Sequence, residues 1–199
     1  MMVYTIGYTG FNIESFINIL KKYNISCVID VRSSPFSRRY PSYNQADIKA
    51  ELVKHNILYR NYIDEFGARQ TNPQFLTNGY VDFKKFRKSA QFLSGVDKLR
   101  KGIELQYTFC LLCAEVDPMT CHRSILLSKG LVDLNIKVSH ILRNGELETQ
   151  SQLENRLVEL YFPNRNQVSL FETPKTYAQM LDEAYINANI KIGFYSEKE

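Results

Sequence analysis

The sequence contains no tryptophan and no apolar run long enough to cross a bilayer. Its longest apolar stretch covers residues 109–114, whereas a membrane-spanning helix needs about 20 such residues. The amino-terminal residues MMVYTIGYTG lack the basic flank and the long apolar stretch of a secretion signal. We therefore expect a cytoplasmic protein with no membrane partner.

A large excess of either charge is also missing. The chain of 199 residues has 25 Lys and Arg against 21 Asp and Glu, which gives a net charge of +4. This slight basic bias permits a phosphate or nucleic-acid ligand without requiring one. Hydrophobic residues make up 44% of the chain and charged residues 23%, which are ordinary globular values and exclude a largely disordered chain.

Cysteine is scarce but clustered. Three of the four cysteines, Cys110, Cys113 and Cys121, lie close together in the second half of the chain. Because the chain has no export signal, we expect reduced thiols, metal ligands or catalysts rather than a disulfide framework. This cluster is the most informative feature of the composition.

Short β-rich segments alternate with amphipathic segments along most of the chain. Such alternation predicts an α/β fold of three layers, with a mostly parallel sheet of about five strands. In sheets of this kind, ligands bind outside the carboxyl ends of the strands. The strands are expected at residues 3–7, 27–31, 57–62, 107–113 and 137–142, and the helices at residues 13–23, 45–55, 82–101 (with a break at 94–95) and 122–134.

One internal region does not fit this alternation. Residues 62–81 are rich in Gly, Asn and Pro, and they are expected to form a long functional loop or lid. The pattern changes again after Asn144. We therefore assign residues 1–145 to an α/β domain and residues 146–199 to a helical carboxyl-terminal extension.

The extension is expected to contain two helices. The first covers residues 150–161, and the second is capped at Thr173, has Pro174 in its first turn and continues to Ala188. The pattern leaves three roles open for this extension. It would pack on the α/β domain, mediate a homodimer, or form a small appendage.

Polar residues follow the first predicted strand. Gly7 and Gly10 flank Tyr8 and Thr9 in a loop between this strand and the next helix. Backbone amides in such a loop can face an anion at the start of the helix. A tight strand-to-helix turn that simply needs glycine is the alternative.

A second polar group follows the next strand. Arg32 lies just beyond the buried segment that ends near Asp30, and the loop after it adds Ser34 and the pair Arg38-Arg39. The guanidinium group presents a fork of donors that matches phosphate or carboxylate. The alternative is a structural ion pair between Asp30 and Arg32 beside a solvated turn.

The third group follows the most apolar strand. Cys113 ends that strand, Glu115 lies in the turn, and Cys121, His122 and Arg123 open the next helix. A helix start and neighbouring cations favour the thiolate form of a cysteine. Glu115 would orient a neighbour or transfer a proton.

Three interpretations of this third group remain open: a metal site, a thiol nucleophile or redox pair, and a purely structural role. In the third, both cysteines pack in the core and Arg123 forms a buried ion pair with Glu115. Metal binding would use Cys110, Cys113, Cys121 and His122. Residues three apart on a strand point to opposite faces, which argues against Cys110 and Cys113 as joint ligands. His140, inside a predicted strand, is expected to be a hydrogen-bonded core residue.

The motifs TIGYTG, DVRSSPFSRRYPSYN, NILY, FGAR, LLCAE-x5-CHR and VSHI together resemble a bacterial and archaeal family catalogued as domain of unknown function 488. The resemblance covers residues 3–143. The family pattern usually has His-Ser after TIG, where this chain has Tyr8-Thr9, and Leu-Gly-Gly in the long loop, where this chain has Phe66-Gly67-Ala68. The DVR segment also resembles the strand end of rhodanese-type sulfur transferases. The resemblance implies an α/β fold and a site that contains Arg32, Cys113, Glu115, Cys121, His122 and Arg123.

Together these features predict an enzyme that binds a phosphate-bearing ligand, either a nucleotide or the end of a nucleic acid. A non-catalytic nucleic-acid-binding module and a thiol-redox or sulfur-transfer protein are the alternatives. No metal or other cofactor is expected. The predicted catalytic residues are Cys121, Glu115 and His122, with Cys121 as nucleophile. The predicted ligand-binding residues are Arg32 and Arg123, which clamp the anion, together with Gly7, Tyr8, Thr9, Ser34, Arg38 and Cys113.

Overall fold

The computed structural model describes residues 2–165 and 174–196. Its strands are β1 (Met2–Gly7), β2 (Cys27–Asp30), β3 (Leu58–Asn61), β4 (Leu76–Thr77), β5 (Tyr80–Val81), β6 (Phe109–Cys113), β7 (Lys137–Ile141) and β8 (Leu147–Thr149). Six of them form one sheet in the order β3-β2-β6-β1-β7-β8, while β4 and β5 form a separate antiparallel pair. Every pairing in the large sheet is parallel except that of β7 with β8. This confirms the predicted α/β fold with a mostly parallel sheet, and β8 is the strand that the sequence pattern did not reveal.

The helices are α1 (Ile13–Lys22), α2 (Gln45–Lys54), α3 (Ile63–Phe66), α4 (Phe83–Phe86), α5 (Ala90–Glu104), α6 (Lys129–Asp133), α7 (Gln150–Tyr161) and α8 (Tyr177–Ile192). A π-helical segment, Arg123–Ser128, runs directly into α6. Three single turns of 3-10 helix, Pro41–Tyr43, Pro73–Phe75 and Pro118–Thr120, occur in the loops. In the described part of the chain, no helix has the length and apolar character needed to cross a membrane.

The large sheet is buried on both faces because side chains of a strand point alternately to its two sides. Leu111 and Cys113 of β6 contribute to the core beneath α5 and α8, whereas Cys110 and Leu112 contribute to the core beneath α1 and α2. Helices therefore cover both faces, which makes three layers. The same alternation separates Cys110 from Cys113, as the sequence predicts.

The predicted break at residues 94–95 is wrong. The chain instead breaks between α4 and α5, where the Ser89 side chain accepts a hydrogen bond from the amide of Phe92 and so caps α5. Gly95 lies inside α5 because the helix packs closely there: an added Cβ would lie 2.7 Å from the ring of Phe66. Close packing, not helix termination, explains this glycine.

The second carboxyl-terminal helix also begins later than predicted. Its N-cap is Thr176, which forms a capping box with Gln179, and the helix continues to Ile192. Thr173 lies outside the described residues. Side chains of both carboxyl-terminal helices, including Leu157 and Ala184, are buried in the same core as the sheet.

The segment predicted as a long loop contains α3, a 3-10 turn and the β4–β5 pair. Two aromatic side chains, Phe66 and Phe75, fix it to the core. The carboxyl-terminal segment also holds it, because the amide of Val81 donates to the carbonyl of Phe194. This anchoring places Arg69 beside the carboxyl ends of the strands.

Candidate functional site

A cleft of about 520 Å³ opens at the carboxyl ends of β1, β2 and β6. Parallel strands bring their carboxyl ends to one edge of the sheet, which is where α/β proteins bind ligands. The walls carry arginine and serine side chains, and the inner end carries thiols. Seven of the residues predicted from the sequence line the cleft: Tyr8, Arg32, Ser34, Cys113, Glu115, Cys121 and His122.

Arg32 is fixed in the cleft wall by a buried ion pair. Its Nε and Nη2 donate to the two carboxylate oxygens of Asp30, at 2.8 and 2.5 Å, and its Nη1 donates to the carbonyl of Tyr43 at 2.8 Å. Tyr59 completes the arrangement by donating its hydroxyl to Asp30 at 2.7 Å. These bonds occupy three of the five guanidinium N–H groups, so two remain for a ligand.

Two tyrosines form the wall behind Arg32. The rings of Tyr8 and Tyr43 stack at 4.4 Å, and the guanidinium carbon of Arg32 lies 5.3 Å from the Tyr8 ring. The Tyr43 hydroxyl donates to the carbonyls of Phe11 and Asn12. Tyr43 is buried by these contacts, and its carbonyl positions Arg32.

The inner end of the cleft is a cluster of two thiols, a carboxylate and an imidazole. The thiols of Cys113 and Cys121 both donate to Oε2 of Glu115, at 3.0 and 2.9 Å. The same sulfurs lie 3.6 and 3.9 Å from Nδ1 of His122. On the other side of its ring, Nε2 of His122 lies 3.1 Å from the carbonyl of Val31. A proton on Nε2 satisfies this carbonyl and leaves the lone pair of Nδ1 facing the sulfurs.

Burial and neighbouring charges shift the pKa values of the two thiols in opposite directions. Contact with Cys121, together with burial, raises the pKa of Cys113. Burial alone would raise the pKa of Cys121, but its contact with Cys113 and the positive charge of Arg123 lower the pKa below the ordinary value. Burial raises the pKa of Glu115. The cluster therefore favours one thiolate, on Cys121, and in that state the proton shared with Oε2 of Glu115 lies on the carboxyl group.

The structure places Arg123 behind the cleft, not in its wall. The side chain is fully buried, and its Nη1 and Nη2 donate to the carbonyls of Glu115 and Val116, at 2.6 and 3.0 Å. The sequence places Arg123 next to His122 but does not reveal that the helical turn directs the two side chains to different sides. Arg123 thus holds the turn that carries Glu115, which differs from the expected anion clamp.

The loop after β1, which runs from Gly7 to Gly10, also has a structural role. The amides of Tyr8 and Thr9 donate to the carbonyls of Cys113 and Ala114, at 3.0 and 3.1 Å, which continues the pairing of β1 with β6. A Cβ on Gly7 would lie 1.7 Å from the carbonyl oxygen of Glu115. Gly7 therefore permits close approach of the Glu115 turn, and neither Gly7 nor Thr9 lines the cleft.

Several cleft residues were not predicted. Arg69 and Ser33 line the cleft from opposite loops, and the amide of Arg69 donates to the Ser33 hydroxyl at 3.1 Å. Phe194 lies under Arg69, with the guanidinium carbon 5.5 Å from its ring. The FGAR motif was a signal for Arg69, whereas no local pattern marks Phe194, which reaches the cleft through tertiary packing. Arg38, which was predicted, is exposed and does not line the cleft.

Comparison with known proteins identifies a family. The family described as Domain of unknown function DUF488 matches residues 12–129, which is more than half of the chain and includes the segment from Arg32 to Arg123. No curated protein and no solved structure matches the chain. The matched region contains the ion pair, the thiol cluster and most of the cleft wall. On this evidence the chain belongs to the family Domain of unknown function DUF488.

Proposed function

We propose that this protein is an enzyme that binds a phosphate-bearing ligand, a nucleotide or a nucleic-acid end, in the cleft at the carboxyl ends of the strands. The proposal rests mainly on one observation. The donors of Arg32 are held in the wall of the cleft by Asp30, and the same cleft ends at the thiol of Cys121. Binding and reactive groups thus face one cavity.

The polar wall supplies donors for phosphate oxygens. Arg32 has two unused N–H groups, and Arg69 brings a second guanidinium group from the opposite loop. Ser33, Ser34 and Ser37 line the same cleft and add hydroxyl groups. Phosphate oxygens accept charge-assisted hydrogen bonds from such donors, and these are among the stronger contacts available to a protein.

Aromatic rings also line the cleft. Phe36 is 65% exposed and Phe194 lies under Arg69, so both rings border the cavity. An aromatic face of this kind stacks on a base or packs against a sugar. A cavity lined by guanidinium and hydroxyl donors and by aromatic rings fits a nucleotide better than inorganic phosphate alone.

The cluster at the inner end carries the proposed chemistry. Cys121 attacks the electrophilic atom of the ligand and forms a bond through its sulfur, while the leaving group departs with its electron pair. Glu115 takes up the thiol proton and returns it to the leaving group. Water then releases the product and restores the thiol, with His122 positioned beside both sulfurs.

Calorimetric titration tests the binding step. A nucleoside triphosphate should bind, and the matching nucleoside without phosphate should bind at least about tenfold more weakly. Arg69→Ala should lower the triphosphate affinity by a similar factor, because one guanidinium group is lost. Arg38→Ala is the matched control, since Arg38 is exposed and outside the cleft. Equal binding of both compounds, or binding of neither, would overturn the proposal.

The alternative of a nucleic-acid-binding module rests on the exposed pair Arg38-Arg39. It predicts that an oligonucleotide binds with steep salt dependence and that Arg38→Ala weakens this binding. It also predicts that Cys121→Ser and Arg69→Ala have no effect. The enzyme proposal predicts instead that Arg69→Ala weakens ligand binding and that Arg38→Ala does not.

A further inference from the structure

We propose that Cys113, Cys121 and His122 form a binding site for a thiophilic divalent cation such as Zn²⁺, and that the bound ion blocks Cys121. The site is distinct in its chemistry from the phosphate-binding wall of the cleft. Its blocking effect rests on the proposed function, because it matters only where Cys121 is the nucleophile. Formation of the site does not depend on that function.

The three donor atoms have the spacing of a metal site. The two sulfurs and Nδ1 of His122 all lie within 4.8 Å of one another. Around a tetrahedral zinc ion with bonds of about 2.3 Å to sulfur and about 2.1 Å to nitrogen, a sulfur and a nitrogen lie about 3.6 Å apart. The observed sulfur-to-nitrogen distances are 3.6 and 3.9 Å. The two sulfur-to-nitrogen distances are therefore already close to those of a tetrahedral site.

Neighbouring groups hold the three donors in place. The contact between Nε2 of His122 and the carbonyl of Val31, at 3.1 Å, fixes the ring with Nδ1 toward the sulfurs. A hydrogen bond from the far nitrogen of a ligating histidine is the usual second-shell arrangement in zinc sites. Cys113 is held at the end of β6, next to Gly7 of β1. The amide of Arg123 lies 3.4 Å from the sulfur of Cys121.

The chemistry of the donors determines which ions fit the site. Two thiols and an imidazole select soft or borderline ions and disfavour Mg²⁺ and Ca²⁺, which prefer oxygen. Binding forms two sulfur–metal bonds and one nitrogen–metal bond, and any protons still on the two thiols pass to solvent. No electron is transferred. A Cys121 thiolate that shares a lone pair with the cation carries less negative charge and is crowded by the ion, so it is a weaker nucleophile toward a ligand.

Cobalt titration tests the site directly. Reduced, metal-free protein titrated with Co²⁺ should develop a thiolate-to-cobalt charge-transfer band that saturates at one ion per chain and disappears on addition of Zn²⁺. Cys113→Ser and His122→Asn should weaken or abolish the band. Cys110→Ser is the matched control, because Cys110 is buried on the other face of the sheet and should leave the band unchanged.

Two results of the cobalt titration would overturn the proposal. Absence of the band in the unsubstituted protein overturns the metal site, and so does a band that survives in both Cys113→Ser and His122→Asn. Circular dichroism identifies a variant that has failed to fold. If Cys113→Ser is misfolded, His122→Asn and its conservative partner His122→Gln provide the same test.

The rate at which Cys121 is alkylated tests whether the bound ion blocks this thiol. We expect Zn²⁺ to slow modification of Cys121 in the unsubstituted protein at least tenfold, and a chelator to restore it. Unchanged alkylation in the presence of bound Co²⁺ or Zn²⁺ would overturn the block. The titration with a nucleoside triphosphate is performed on metal-free protein, so its failure removes the proposed function and leaves the metal site standing.

Discussion

Arg32 and Asp30 form a two-point ion pair that is almost completely removed from solvent, with 4% and 1% of their side-chain surfaces exposed. Only Val31 separates them in the sequence. Their partners, Tyr43 and Tyr59, come from two different loop and strand segments. The pair therefore joins β2 to the elements around it and also positions a donor group in the cleft.

The first prediction concerns this pair. Arg32→Met should lower the free energy of unfolding by about 3–5 kcal/mol, because it leaves the Asp30 carboxylate buried without its partner. The double variant Asp30→Asn with Arg32→Met should recover a large part of that loss. Urea denaturation of the single and double variants measures the coupling. A loss below about 1 kcal/mol in Arg32→Met would contradict the role given to the pair.

The second prediction concerns Gly7. A Cβ at this position would lie 1.7 Å from the carbonyl oxygen of Glu115, so Gly7→Ala must displace either β1 or the Glu115 turn. We expect a loss of about 3 kcal/mol in the free energy of unfolding, as for overpacked cores. Gly79 is the comparison: it has a φ of +84° but open space around it, so Gly79→Ala should cost only about 1 kcal/mol of backbone strain. Equal losses for the two variants would show that crowding at Gly7 is not the cause.

The third prediction concerns His140. Its ring lies between the Thr5 hydroxyl at 2.8 Å and the Gln150 amide oxygen at 2.7 Å, as expected for a hydrogen-bonded core residue. Burial lowers the pKa of His140 to about 4, while the positive charges of Arg123 and Arg156 also disfavour its protonation. The unfolded chain keeps the ordinary value near 6.5.

Between these two values the unfolded chain binds a proton that the folded chain does not, so stability falls as pH falls. The loss from this residue should reach about 2 kcal/mol between roughly pH 6.5 and pH 5. Urea denaturation at several pH values measures it. His140→Gln, which does not titrate, should lack this part of the pH dependence, and an identical pH dependence in both proteins would contradict the assignment.

The sequence predicts the central part of the fold because its signals are local. The continuous apolar strands β2 and β6 and the helix α7 are visible as runs and periodicities, and α7 has its predicted bounds, Gln150–Tyr161. The pair β4–β5 also has a local signal, Asn78-Gly79, whose positive φ angles suit a two-residue hairpin turn. That signal lay inside the segment predicted as a loop.

The site is less visible in the sequence because it depends on which way side chains point. Cys121, His122 and Arg123 are consecutive, yet the first two line the cleft and the third is buried behind it. Phe194 comes from the far end of the chain and reaches the cleft only because α8 packs on the sheet layer. A residue pattern contains no such information until the tertiary structure is known.

The last prediction separates the contribution of the aromatic residues of the cleft from that of its polar residues. Phe36 borders the cleft with 65% of its surface exposed, so Phe36→Ala should leave the unfolding free energy within about 0.5 kcal/mol of its original value. Stacking on one base contributes about 1–3 kcal/mol, so the variant should bind a nucleoside triphosphate about tenfold more weakly. Inorganic pyrophosphate has no base, and its affinity should not change. Leu105→Ala is the control, since Leu105 is 72% exposed and distant from the cleft lining. A parallel loss of pyrophosphate affinity in Phe36→Ala would show that this ring holds the polar residues of the cleft in place instead of contacting a base.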